Sequence, residues 1–328
     1  LTAVATQQGS IGSFIHLQPA QADSPTVLKQ VFFIAKHLKE TLTEAAQQNG
    51  RSNFITVTRM DGALGLDGDI PFNPIDGGLF GLTKTLNLEW TQVFCRAIDL
   101  HPGYTAEQAA AYIVAELHDP NRLITEVGYG NQGRVTLDTV ETPLEDTTPN
   151  SQITPNSVFV VSGGAKGITA DCVIYLAQQY QCKFVLLGRS SIDDVYAQEL
   201  GGTSWLVGRP NEAALKRQIM ERLIAQGEKP TPMLIGKMAR TIGSKLAIEA
   251  TLQTIEEAGS QVEDLPVDVT NATALQAALA DAAQRLGPIT GIIHGAGVLS
   301  DKLIEKKTEQ DFASVYSTKV DGLNALLQ

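Results

Sequence analysis

Ser162-Gly163-Gly164-Ala165-Lys166-Gly167-Ile168-Thr169 interrupts an apolar run at 158–161 and opens a helical pattern over 168–180. Gly163 supplies the backbone angles of a tight turn, and Gly167 lets a helix begin close against a ligand. Bare N–H groups at the positive end of that helix are what a pyrophosphate needs. Glycine turns are common, so it is strand, turn and helix in this order that predict a dinucleotide site.

A second apolar run, 184–187, ends in Gly188-Arg189-Ser190 rather than in the Asp or Glu that reads a free ribose 2′-hydroxyl. Lys166, inside the glycine turn, adds another cation. A 2′-phosphate needs cations and is repelled by a carboxylate, so the pair predicts NADPH over NADH. The alternative is two solvated surface charges. Asp268, expected to end a third strand over 262–268, either accepts a bond from the adenine amine or caps the next helix. Gly295-Ala296-Gly297, after a fourth strand at 289–294, leaves room for the ribose and nicotinamide side. The expected cofactor-binding set is Ser162, Gly163, Gly164, Ala165, Lys166, Gly167, Ile168, Arg189, Ser190, Asp268, Val269, Gly295, Ala296 and Gly297. His294 is expected to be a packed or hydrogen-bonded strand-end residue rather than a catalytic one.

Loops so far apart in sequence meet only if a doubly wound α/β frame carries them to one end of a parallel sheet. Gly9-Ser-Ile-Gly-Ser-Phe-Ile-His16 and Gly287-Pro-Ile-Thr-Gly-Ile-Ile-His294 match in pattern, which predicts two copies of one such unit. In the first copy, strands are expected at 52–59 and 93–100 and helices at 77–90 and 106–118, with Leu79, Leu82 and Leu86 on one stripe. Its opening strands would precede Leu1, and it carries Leu17-Gln18-Pro19 where the second has Gly295-Ala296-Gly297, so no nucleotide is expected there. Residues 1–146 form the first subdomain, 147–157 a Pro-rich linker and 158–328 the second. A polar, helical insertion at about 190–246 is longer than a crossover needs, and Gly227-Glu-Lys-Pro-Thr-Pro232 divides it. It reads as a helical hairpin on the surface, a lid or partner surface being the alternative.

Composition narrows the classes. Hydrophobic residues make up 43% and charged residues 19% of the 328, and no apolar run is long enough to span a bilayer. A net charge of -11 argues against nucleic acid as the main partner. Cys95, Cys172 and Cys182 have neither metal nor redox spacing, so no metal is expected and reduced thiols in a cytoplasmic protein are. Leu1 is not an initiator Met and no secretory signal is visible, as expected of a piece of a longer polypeptide.

These residues resemble the short-chain dehydrogenase/reductase superfamily, and more narrowly the ketoreductase domains of type I polyketide synthases, which pair a degenerate structural subdomain with a catalytic one. The wording at 162–169, the insertion with Gly227-Glu-Lys-Pro-Thr-Pro232, and Gly287 to Leu299 look most like the ketoreductase of polyunsaturated fatty acid synthases. The fold class expected is therefore α/β, with Rossmann-like doubly wound parallel sheets in two related subdomains, one degenerate and one NADPH-binding, both incomplete in this chain.

The resemblance implies NADPH-dependent reduction of a 3-oxoacyl group on an acyl carrier protein, beside neighbouring domains of a synthase. It also implies a catalytic role for Lys319, in Thr318-Lys-Val-Asp-Gly322: holding a proton-relay water or lowering the pKa of the family's tyrosine. The family's Ser, Tyr and Asn lie downstream of that lysine, and the chain ends nine residues after it. Tyr316 precedes Lys319 by three positions, not the superfamily's four, and is expected to be structural. Asp76 stands near the tyrosine's place in the first copy. Thr169 replaces a third glycine found in many relatives. Leu299-Ser-Asp301 resembles a signature of 3R-alcohol formation. The alternatives are a noncatalytic nucleotide-binding scaffold of such a synthase, or a ketoreductase of an enediyne or glycolipid synthase.

Overall fold

The computed structural model describes residues 11–19, 23–68, 70–143, 153–189, 205–208 and 210–328. They fall into two compact units, residues 1–145 with 301–308, and residues 146–300 with 309–328. Ser190, residues 147–152 of the expected linker and the start of the insertion lie outside the described residues. Residues 301–308 group with the first unit rather than with the rest of 158–328. Lys39 pairs with Glu305 at 2.9 Å, and the Ile304 N–H donates to Glu89 Oε2 at 2.9 Å.

In the first unit β1 (Ser13–Leu17), β2 (Asn53–Thr58), β3 (Phe94–Leu100) and β4 (Glu126–Gly130) run parallel, and β5 (Gly133–Val135) returns antiparallel, in the order β1-β2-β3-β4-β5. Helices α1 (Ser24–Asn49), α2 (Gly78–Glu89) and α3 (Ala106–His118) connect them. Strand β3 is buried throughout, as expected where helices cover both faces of a parallel sheet, whereas β1 at the edge is half exposed. The α2 stripe is Leu79, Phe80, Thr83 and Leu86; Leu82 is only half-buried. Thr83 is buried because its hydroxyl meets that of Thr56 on β2 at 2.8 Å. Buried Arg96 is compensated by Glu116 at 2.6 Å and Asp119 at 3.2 Å, with Arg134 and the Tyr129 hydroxyl also on Glu116. Such a network holds α3 to the sheet only while every charge keeps its partner.

The second unit is a parallel sheet in the order β8-β7-β6-β9, made of β6 (Val158–Ser162), β7 (Lys183–Gly188), β8 (Val262–Pro266) and β9 (Gly291–His294). Alternate residues feed two cores. Val158, Val160, Val185 and Leu187 pack with Leu275, Ala282 and Leu286 of α7 (Ala272–Leu286). On the other face Val161, Phe184 and Leu186 meet Val173 and Ala177 of α4 (Gly167–Tyr180) and Ile248 and Ile255 of α6 (Pro232–Glu257).

Helix α5 (Glu212–Ala225) folds back on α6, burying Leu215, Ile219 and Leu223 against Met238, Ala239 and Ile242. The break at Gly227–Pro232 and the hairpin are as expected, but the expected end of the insertion near Leu246 is not a boundary. One unbroken helix runs from Pro232 to Glu257 and serves as both the second arm of the hairpin and the crossover onto the sheet. No Gly or Pro interrupts it after Gly243, so nothing local marks where one role becomes the other. Beyond β9 come α8 (Glu309–Tyr316), a π-helical turn at Ser317–Asp321 and α9 (Gly322–Leu327).

Candidate functional site

Four loops at the carboxyl ends of β6, β7, β8 and β9 enclose a cavity of about 280 Å³. This is where a doubly wound sheet receives ligands. The glycine turn supplies Gly163, Ala165 and Lys166; β7 ends in Leu187, Gly188 and Arg189; the loop after β8 adds Val267, Asp268 and Val269; Gly295, Ala296 and Gly297 close the far side.

Gly163 has φ +68°, and a Cβ there would stand 3.0 Å from the Ala296 nitrogen, so both conformation and space demand glycine. A Cβ at Gly295 would meet Thr169 Oγ1 at 2.5 Å. The threonine in place of a third helix glycine is thus accommodated by a glycine on the facing loop.

The remaining expected residues divide by role. Ser162 is fully buried and faces the interior. Its Oγ accepts from the Ala296 N–H at 3.2 Å and lies 2.7 Å from His294 Nδ1. With the Ser162 proton directed to Nδ1, His294 Nε2 carries the ring proton and donates to the Lys319 carbonyl at 3.1 Å. Burial holds the His294 pKa below its usual value, with the Lys319 charge acting the same way. The strand-end histidine is hydrogen-bonded, as expected, and ties three loops together. Gly164 is packed on Val161 and Leu186, while Ile168 is 83% exposed and stands outside the cavity lining. Gly167 opens α4 at φ +64°.

Asp268 departs from expectation. Strand β8 stops at Pro266, and Asp268 Oδ1 closes a turn by accepting from the Thr270 N–H at 2.9 Å and its hydroxyl at 2.7 Å. Those bonds, then the nearby Arg189 charge, lower its pKa. The carboxylate therefore lines the cavity while committed to its own loop.

Lys319 is exposed on the π-helical turn, alongside Gly297, where a Cβ would come 3.0 Å from its Cε and 3.4 Å from its Nζ. Tyr316 stacks on Phe312 with ring centroids 5.6 Å apart.

Several contributors fall outside the expected set, among them Leu187, Val267 and Thr318 beside expected neighbours, and three that lie apart from them. Asp264 on β8 lines the cavity half-buried, and burial raises its pKa. From α6, Ile248 reaches the cavity and Ser244 Oγ accepts from Lys166 Nζ at 2.8 Å. Asp264 follows Glu263 in a strand of mixed polarity, so nothing in the sequence singled it out, nor Ser244 or Ile248.

The donor set suits a dinucleotide phosphate: bare glycine backbone at a helix start, and Lys166 and Arg189 on one cavity. In the first unit the corresponding loop carries Gln18, a buried side chain that donates to Asp76 Oδ1 at 2.8 Å, and both residues line a cavity of about 440 Å³ with no glycine turn beside it among the described residues. Among the described residues no cluster of His, Cys, Asp and Glu could hold a metal, and no helix is long and apolar enough to cross a membrane.

Comparison with known proteins agrees with this geometry. The family model "KR domain" matches residues 157–328. A polyunsaturated fatty acid synthase subunit from Thraustochytrium sp. is 36% identical over 97% of this chain, which spans 12% of that protein. Polyketide synthase PksL from Bacillus subtilis is 24% identical over 75% of the chain and 5% of its own length. Among solved structures, A-type ketoreductases from a modular polyketide synthase superpose with a TM-score of 0.67 at 19% identity, over 99% of this chain and 57% of theirs. An N-terminal ketoreductase from the macrolactin assembly line gives a TM-score of 0.58 at 18% identity, over 99% of this chain and 55% of that one.

Proposed function

Because the chain belongs to the KR domain family, a family of nicotinamide-dependent ketoreductases, we propose that it serves NADPH-dependent reduction of 3-oxoacyl groups held on an acyl carrier protein. Its setting is a polyunsaturated fatty acid or polyketide synthase whose other domains are its neighbours, in the cytoplasm. The observation that carries the cofactor choice is the convergence of Lys166 and Arg189 on the glycine-loop cavity.

When bound, the reduced nicotinamide supplies a hydride to the 3-carbonyl carbon. The backbone N–H groups around Gly163 to Ile168 would hold the pyrophosphate, and Lys166 and Arg189 would neutralise the 2′-phosphate. The Ser162–His294 pair fixes the Gly295–Gly297 loop through the Ala296 N–H and ties it to the Lys319 carbonyl. Lys319, beside Gly297, would offer a positive charge to negative charge developing on the substrate oxygen.

Tyr316 stands three positions before Lys319 and stacks on Phe312, so it lacks the spacing of the superfamily's Tyr–Lys pair. A second reading is a nucleotide-binding scaffold of such a synthase. Titration of the full chain with NADPH and NADH tests the cofactor. Lys166→Ala with Arg189→Ala is expected to cut NADPH affinity by roughly tenfold to a hundredfold, as for lost charged hydrogen bonds, and to spare NADH. An unchanged preference would sink the assignment. Turnover of a small ketone by the complete synthase, abolished by Lys319→Ala, separates the enzyme from the scaffold.

A further inference from the structure

Helix α6 reaches the cofactor cavity from a direction the glycine loop does not explain. Ile248 lines the cavity, and Ser244, one turn earlier on the same face, accepts from Lys166 Nζ at 2.8 Å. Thr251 and Thr254, farther along, spend their hydroxyls on carbonyls of their own helix at 3.0 and 2.8 Å. Ser244 makes no such bond among the described residues, so its proton stays available to an acceptor beside Lys166. The first half of α6 is held by α5 through Leu215, Ile219 and Leu223.

We propose that Ser244 is a positioning residue for the 2′-phosphate, and that the α5–α6 hairpin exists in part to hold it there. The inference rests on the NADPH reading and extends it to the insertion. A lysine ammonium has three donors on a flexible stem, and fixing that stem is an entropic cost of using it. The Ser244 oxygen engages one donor in advance, leaving two for phosphate oxygens, while the Ser244 hydroxyl can donate to the same phosphate.

The test uses calorimetric titration of the full chain with adenosine 2′,5′-bisphosphate and adenosine 5′-monophosphate. Ser244→Ala is expected to weaken the bisphosphate about three- to tenfold, as for a neutral hydrogen bond, and leave the monophosphate unchanged. Ser244→Thr restores binding. Ser244→Asp, which occupies Lys166 and opposes the phosphate, weakens the bisphosphate roughly tenfold or more. Bisphosphate affinity unchanged in the Ala and Asp variants, or both probes weakened equally, overturns the role of Ser244. A wild-type chain that binds the two probes equally overturns the NADPH reading first, whatever the variants do.

Discussion

His294 shows how much one side chain can settle. With Nδ1 facing the Ser162 hydroxyl and Nε2 facing the Lys319 carbonyl, the neutral ring satisfies both partners. A proton on Nδ1 would oppose the Ser162 donor and add charge near Lys319. Burial first, and the Lys319 charge with it, hold the folded pKa below the ordinary histidine value of 6.5. Its sign follows directly: below 6.5 the unfolded chain takes the proton before the folded one does, so this group's contribution is complete above that pH and is lost as pH falls through the folded pKa. In imidazole NMR titrations His294 should titrate below 6.5, and Lys319→Met should move it upward by removing a neighbouring positive charge; a downward move would exclude the arrangement. The glycine loop, Lys166, Arg189 and the bonded histidine were legible in the sequence because backbone freedom and charge are properties of single residues. Ser244 and Asp264 were not, since their part in the cavity depends on which helix or strand register brings them there.

At the scale of elements, strands β6 and β7 were legible because burial on both faces leaves apolar runs between turn residues, whereas β2 and β3 carry Thr56, Arg96 and Asp99 among their apolar residues. The α6 boundary was not legible, because a helix that changes partners midway keeps a helical pattern on both sides of the change. Its two halves pack differently: Met238, Ala239 and Ile242 on α5, Ile248 and Ile255 on the sheet. Ile219 is fully buried in the hairpin core. Ile219→Ala should destabilise that core by about 2–4 kcal/mol, the usual cost of a large truncation. Hydrogen exchange should register the loss in α5 and the first half of α6, while amides of β6 and β7 keep their protection. Equal loss in the sheet would show that hairpin and sheet open as one body.

At the scale of the whole chain, the pattern shared by Gly9–His16 and Gly287–His294 made the two related units readable, but not that residues 301–308 group with the first. The units should answer a ligand differently. At a hundredfold excess over its Kd, NADPH should stabilise the second unit by about 2.7 kcal/mol. Slowed exchange is expected in the loops at 163–168, 267–270 and 295–297, with β1 to β4 unaffected; protection in the first unit would place a nucleotide there as well. The matched strands β1 and β9 have a further consequence. Each lies at an edge of its sheet, one opening the series β1-β2-β3-β4 and the other closing β8-β7-β6-β9. Placed on one doubly wound pattern, the second unit supplies its third, second, first and fourth strands and the first unit its fourth to seventh, so the matched strand is the one position that both units fill.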